Sequence, residues 1–154
     1  MISEKLKTKP RLLLVDDEEM YLEYLSRRLI NRGYMVTTCL SGEEALEKAG
    51  THTFDVIVLD MLLPGIDGIE TLREIKRITP LAEVIMLTGH ASLEAGLEGM
   101  RLGAFDYLRK PCDTADLVST INHAYSKKSA QEQRIQKTIK KYNAQPEEGI
   151  SSSK

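Results

Sequence analysis

The chain has 154 residues, 42% hydrophobic and 29% charged, figures that suit one soluble globular domain with a sizeable core. Its formal net charge of -2 argues against strong attraction to nucleic acid or an anionic membrane, and its apolar runs are far too short to span a bilayer. Cys39 and Cys112 have no C-x-x-C spacing and the N-terminus has no secretory signature, so a cytoplasmic protein with free thiols is expected.

Residues 1–10 carry Lys5, Lys7 and Lys9 and little apolar matter, which predicts a loose arm. Leu12-Leu13-Leu14-Val15 predicts a buried strand running into Asp16-Asp17-Glu18-Glu19. Tyr21, Tyr24, Leu25, Arg28 and Leu29 come next at helical spacing, and Gly33 ends that helix. Tyr34 to Cys39 reads as a short strand, and Ser41-Gly42-Glu43-Glu44 as a capping box opening a helix. Phe54 to Leu59 is a second buried strand, closed by Asp60 and a turn through Pro64, Gly65, Asp67 and Gly68. Ile69, Leu72, Ile75 and Ile78 recur on one helical face before Pro80. Glu83 to Leu87 is another apolar strand, ending in Thr88-Gly89. Ala91 to Leu102 predicts a helix, weakened by Gly96 and Gly99, that Gly103 closes. Ala104 to Leu108 predicts the last strand, succeeded by Arg109-Lys110-Pro111, and Asp113 a cap for a final helix bearing Leu117, Val118, Ile121 and Tyr125.

Five strands alternating with five helices, their apolar runs unbroken by polar residues, need cover on both faces. The expected fold is therefore α/β, a doubly wound parallel sheet. Parallel strands end on one edge of the sheet, where ligands bind. The residues just past the apolar runs are Asp16 and Asp17, Asp60, Thr88 and Lys110. Three carboxylates in a cleft repel one another and need a cation, and oxygen-only donors suit Mg²⁺ or Mn²⁺ rather than zinc. A lysine and a hydroxyl opposite would complete a clamp on a phosphoryl group. Asp60, alone at its strand end, is the candidate nucleophile, and the adjacent Asp16 and Asp17 suit metal binding. Taken singly, each of these residues reads as a helix cap or a surface group; their coincidence on one edge is the signal.

From about Arg11 to Lys127 the chain resembles the receiver domain of bacterial two-component response regulators. The resemblance rests on Leu14-Val15-Asp16-Asp17-Glu18, on Leu59-Asp60-Met61-Leu62-Leu63-Pro64-Gly65-Ile66-Asp67-Gly68, on Leu87-Thr88-Gly89-His90, and on Gly103-Ala104-Phe105-Asp106-Tyr107-Leu108-Arg109-Lys110-Pro111. It implies a flavodoxin-like (βα)5 sandwich with strand order 2-1-3-4-5. It implies that Asp60 accepts a phosphoryl group from a sensor histidine kinase or a phosphotransfer histidine. Mg²⁺ would be held by Asp17, Asp60 and the backbone carbonyl of Leu62, with Asp16 binding through water. Thr88 and Lys110 would contact the phosphoryl oxygens, and Thr88 and Tyr107 would form the switch pair. Leu62 and His90 stand where the family tunes phosphoryl lifetime. Leu62 has no polar group to orient water, so a phosphoryl state lasting minutes or more is expected. Leu63 departs from the Met frequent at its position.

The domain is expected to span 11–127, with 128–154 a basic tail, helical at first and then disordered. Ile135, Ile139 and Tyr142 fall at i, i+4 and i+7, too few positions for a coiled coil. With no second domain fitting after residue 127, the expected role is a stand-alone switch that binds a downstream protein or relays its phosphoryl group, without multiple turnover on an external substrate. No membrane partner and no direct nucleic-acid contact are expected; a monomer and a phosphorylation-dependent homodimer both stay open. Two other readings are a receiver separated from a DNA-binding output domain and a Mg²⁺-dependent small-molecule phosphatase. The absence of a Gly-rich phosphate loop counts against the phosphatase.

Overall fold

Ten elements alternate in the computed structural model, which describes residues 9–89 and 93–144. They are β1 (Arg11–Val15), α1 (Glu19–Asn31), β2 (Met35–Cys39), α2 (Gly42–Thr51), β3 (Val56–Leu59), α3 (Gly68–Ile78), β4 (Glu83–Thr88), α4 (Leu93–Arg101), β5 (Asp106–Arg109) and α5 (Thr114–Asn143). All strand pairs are parallel, in the order β2-β1-β3-β4-β5. The expected flavodoxin-like (βα)5 sandwich is the observed fold.

Side chains alternate across a strand, so each apolar run feeds two cores. Leu13, Val15, Ile57, Leu59, Val84 and Met86 meet Ala45, Leu72 and Ile75 on one face of the sheet. Leu12, Leu14, Val56, Val58, Ile85 and Leu87 meet Leu22, Leu25, Leu29, Leu117, Ile121 and Ala124 on the other. The chain reverses its direction of winding at β1, which lies between β2 and β3, so a crevice opens beyond the carboxyl ends of β1 and β3.

Local chemistry sets the connections. Ser41 Oγ accepts from Glu44 N at 3.1 Å, as the capping box predicts, but the Glu44 carboxylate reaches back to Leu40 N at 2.9 Å, one residue before the cap. Asp67 caps α3 through Glu70 N at 2.9 Å. Asp113 stands at the N-cap of α5 without the side-chain hydrogen bond expected of it. β5 starts at Asp106 rather than at Ala104, because Ala104 N bonds Gly99 O (3.0 Å) and so terminates α4. The expected start of α4 at Ala91 lies outside the described residues. So do residues 1–8 of the expected arm and the tail from residue 145; Pro10, placed in that arm, is buried.

α5 runs unbroken through the boundary expected at residue 127. Lys128, expected as the first residue of the basic tail, is buried and pairs with Asp55 at 2.9 Å and Glu132 at 2.7 Å. It stands seven residues after Ile121, on the helix face that packs against the sheet. Asp55 is itself buried at the amino end of β3 and needs a cation there.

Candidate functional site

Backbone pairing continues one residue past β1 and β3. Asp16 N donates to Cys39 O at 3.1 Å and Asp60 N to Val15 O at 2.9 Å, so both carboxylates start from the rigid sheet edge. The loop after Asp60 is held by close approach: a Cβ on Gly68 would stand 2.5 Å from Met61 Cα and 2.8 Å from Asp60 O. Gly65 has a positive φ of 77°, and Ile66 N donates to Glu43 Oε2 at 3.1 Å. Only glycine fits both constraints, and together they fix where β3 delivers Asp60.

One oxygen from each of Asp16, Asp17 and Asp60 lies within 4.8 Å of the others. Asp16 and Asp60 are buried, and Asp17 is exposed at the mouth. Lys110 comes after β5 and is tethered by its own N–H to Thr88 O at 2.8 Å. Its ammonium donates to Asp16 at 2.5 Å, Glu18 at 3.0 Å and Asp60 at 3.4 Å. Asp17, Glu18, Asp60, Leu62, Gly89 and Lys110 line an open crevice of about 250 Å³. That volume has room for a small oxyanion with a hydrated cation.

Burial raises the Asp60 pKa above the ordinary carboxylate value of 3.8; the Leu62 N–H lowers it, the Asp16 charge raises it again, and Lys110 lowers it. Burial also opposes charge on Lys110, but its bonds to Asp16 and Glu18 and the charges of Asp16 and Asp60 outweigh burial and raise its pKa. One ammonium thus faces several carboxylates, and Asp60 remains short of positive charge. The oxygen-only donors of Asp16, Asp17 and Asp60 fit a hard divalent cation such as Mg²⁺.

Thr88 ends β4 and is buried, one residue before Gly89 of the crevice. Alternation puts Thr88 on the face of Val84 and Met86, and Tyr107, opposite Met86 in β5, packs on that same core. The Tyr107 ring lies against α4, 3.0 Å from where a Cβ on Gly96 would stand. Leu62 is exposed at the crevice rim, and its N–H donates to Asp60 Oδ1 at 3.1 Å. The structure therefore brings together Asp16, Asp17, Asp60, Leu62 and Lys110, with Thr88 beside them and Tyr107 one strand over. His90 lies outside the described residues. Two residues around Lys110 are not among the expected site residues. Glu18 pairs with it, and the Tyr21 ring stands 4.5 Å below its ammonium. Burial raises the Tyr21 phenol to about 12, with Lys110 opposing. Glu18 is adjacent to Asp17 in the chain, which is a usable signal; for Tyr21 there is none.

A parallel sheet that gathers three carboxylates, a tethered lysine and an adjoining hydroxyl at one edge has the donor set to suit a small oxyanion and a hard cation. The profile of the response regulator receiver domain matches residues 12–122, and the chain belongs to that family. It is 38% identical over 120 residues to the DNA-binding transcriptional regulator NtrC of Klebsiella pneumoniae, across 78% of this chain and 26% of that protein. The chain thus spans about a quarter of the length of the curated relatives it matches. A CheY-like receiver domain protein from Methanospirillum hungatei JF-1 superposes with a TM-score of 0.78 at 30% identity, over 80% of this chain and 99% of that one. A Burkholderia pseudomallei response regulator, solved with a phosphorylated aspartic acid, a calcium ion and citrate, superposes with a TM-score of 0.71 at 27% identity, over 90% of this chain and 88% of that one. Among the described residues no helix is long and apolar enough to cross a membrane.

Proposed function

We propose that Asp60 accepts a phosphoryl group from the phosphohistidine of a sensor kinase or phosphotransfer protein. An Asp60 oxygen forms the new bond to phosphorus as the phosphorus–nitrogen bond breaks, and the histidine leaves with its electron pair. The observation that carries this reading is the cation-poor crevice. Asp60 is fixed at a strand end, faces Lys110, and shares its surroundings with Asp16 and Asp17. The Burkholderia regulator's phosphorylated aspartic acid supports it.

Asp17, Asp60 and the Leu62 carbonyl would hold Mg²⁺, with Asp16 behind through water; the ion supplies charge neutralisation for carboxylates and phosphoryl oxygens that one lysine leaves incomplete. Lys110 balances charge that develops on the transferred group, and the Thr88 hydroxyl binds one of its oxygens. Because Thr88 and Tyr107 share one sheet face and the Tyr107 ring rests on Gly96, a shift of Thr88 toward the phosphoryl group reaches α4. The output is a population shift between two settings of that face. Phosphoryl is taken up once per cycle and lost slowly, since Leu62 orients no water, and no external substrate is turned over.

For the output, the NtrC match favours a receiver that governs a DNA-binding regulator, over a switch that acts alone. Intact mass after incubation with acetyl phosphate tests the phosphoryl step. One phosphoryl adduct that requires Mg²⁺ and is absent from Asp60→Asn is the expected result. An adduct that survives in Asp60→Asn, or none in the wild type, would overturn the assignment.

A further inference from the structure

Among the described residues, two kinds of group face the Lys110 ammonium. Asp16, Glu18 and Asp60 accept from it at 2.5, 3.0 and 3.4 Å. The Tyr21 ring of α1 stands against it as well, its centroid 4.5 Å away. A carboxylate fixes where an N–H points. A π face attracts the cation without fixing the direction of its N–H groups. The site is nearly dry. Only 11% of the Lys110 side chain is exposed, and a cavity of about 10 Å³ that Tyr21 shares with Asp16, Asp60 and core leucines has room for about one water. Attraction between a cation and a ring is strongest where both are desolvated.

The ring is itself held in place. Tyr21 and Tyr24 lie three residues apart on α1, their rings 6.2 Å apart and tilted by 36°. The Arg28 guanidinium lies 5.2 Å from the centre of the Tyr24 ring, and its Nε donates to Thr114 Oγ1 at 2.9 Å. A ladder of cation, ring, ring and cation thus runs along α1 from Lys110 to the first residue of α5, bracketing the loop between them.

In the proposed phosphoryl transfer, on which this role rests, the divalent cation draws on Asp16 and Asp60, and Asp60 also bonds phosphorus. Glu18 is 65% exposed, so water screens its attraction for Lys110. The Tyr21 ring competes for neither the cation nor the phosphoryl group. We propose that Tyr21 is the positioning residue for Lys110: its ring keeps the ammonium in the crevice while the N–H groups change acceptors from carboxylate to phosphoryl oxygen.

Two measurements test this. The first is a carbon–proton NMR correlation of the full chain without phosphodonor, with Lys110 assigned through Lys110→Arg. Ring current from Tyr21 should move the Lys110 ε-methylene protons upfield, before and after Mg²⁺ is added. Tyr21→Phe should keep that shift and Tyr21→Leu should lose it. The second is the rate of phosphoryl uptake from acetyl phosphate with Mg²⁺, read by intact mass. Tyr21→Leu should be slowed about fivefold and Tyr21→Phe restored to near the wild-type rate. Circular dichroism checks that each variant is folded, and the wild-type resonance needs no Tyr21 variant. A Lys110 resonance that is unshifted, or that loses its shift with Mg²⁺, would overturn the proposal. So would uptake by Tyr21→Leu at the wild-type rate, or equal slowing of both variants, which would assign the effect to the hydroxyl. A wild type that takes up no phosphoryl group would sink the phosphoryl reading, while the Lys110 resonance with Mg²⁺ still decides whether the ring holds the ammonium.

Discussion

Asp60 is destabilising where it stands. Its folded-state pKa is raised, with burial the leading cause, so the folded chain binds the proton more tightly than the unfolded chain. Stability is then lost as pH rises from the ordinary 3.8 through the raised value, and the deficit is fully present above it. Asp60→Asn should therefore stabilise the chain at neutral pH by roughly 1 kcal/mol in urea unfolding, and the gain should shrink as the pH falls below 3.8. No gain at neutral pH would mean that Lys110 already neutralises Asp60. A residue that costs stability at rest is expected where charge balance is completed only by a ligand.

At the scale of elements, glycines govern how the site is held. Gly68 reads in sequence as a turn former, yet its role is to let the start of α3 approach the backbone just past Asp60. Gly68→Ala would drive a Cβ into Asp60 O and Met61, groups of the main chain that cannot rotate away. It should cost about 2 kcal/mol or more and slow adduct formation, because the loop carrying the Leu62 N–H must move. Wild-type unfolding and labelling in that variant would show that the loop is not positioned by α3. Gly96 and Gly99 read as weaknesses in α4, but the Tyr107 ring and Met86 occupy the room their missing side chains leave.

Across the whole molecule, the buried aspartates at the two ends of the sheet are held differently. The carboxyl end is short of cations. At the amino end, Asp55 accepts from Arg11 N at 2.7 Å and from Lys128 at 2.9 Å, and Lys128 also holds Glu132. Burial would raise the Asp55 pKa, but the Arg11 and Lys128 hydrogen bonds lower it below 3.8, so its contribution is present above that value and lost as pH falls through the folded one. Lys128 is opposed by burial and raised by Glu132 and Asp55; its contribution holds below 10.5 and is lost as pH rises through the raised value. Lys128→Met should cost about 3 kcal/mol by stranding a buried carboxylate, and Asp55→Asn in the same chain should recover most of it. Equal instability of the single and double variants would place Lys128 outside the core's charge balance. Because α5 is continuous, this cluster ties its extension to the sheet.

The sequence by itself determined the alternation of strands and helices, the double covering of the sheet and the strand-end residues Asp16, Asp17, Asp60, Thr88 and Lys110. Apolar runs and their terminators are local patterns, and parallel strands deliver the residues at their carboxyl ends to one edge. The strand order came from the family resemblance, since periodicity does not say which strands are neighbours. Only the tertiary structure decided that Glu18 and Tyr21 surround Lys110, that Lys128 is buried rather than solvated, and that Gly96 makes room for Tyr107. Lys110 lies 94 residues from Asp16 and Lys128 lies 73 from Asp55. Whether a lysine at such a position is solvated or buried depends on the carboxylate that the fold sets opposite it.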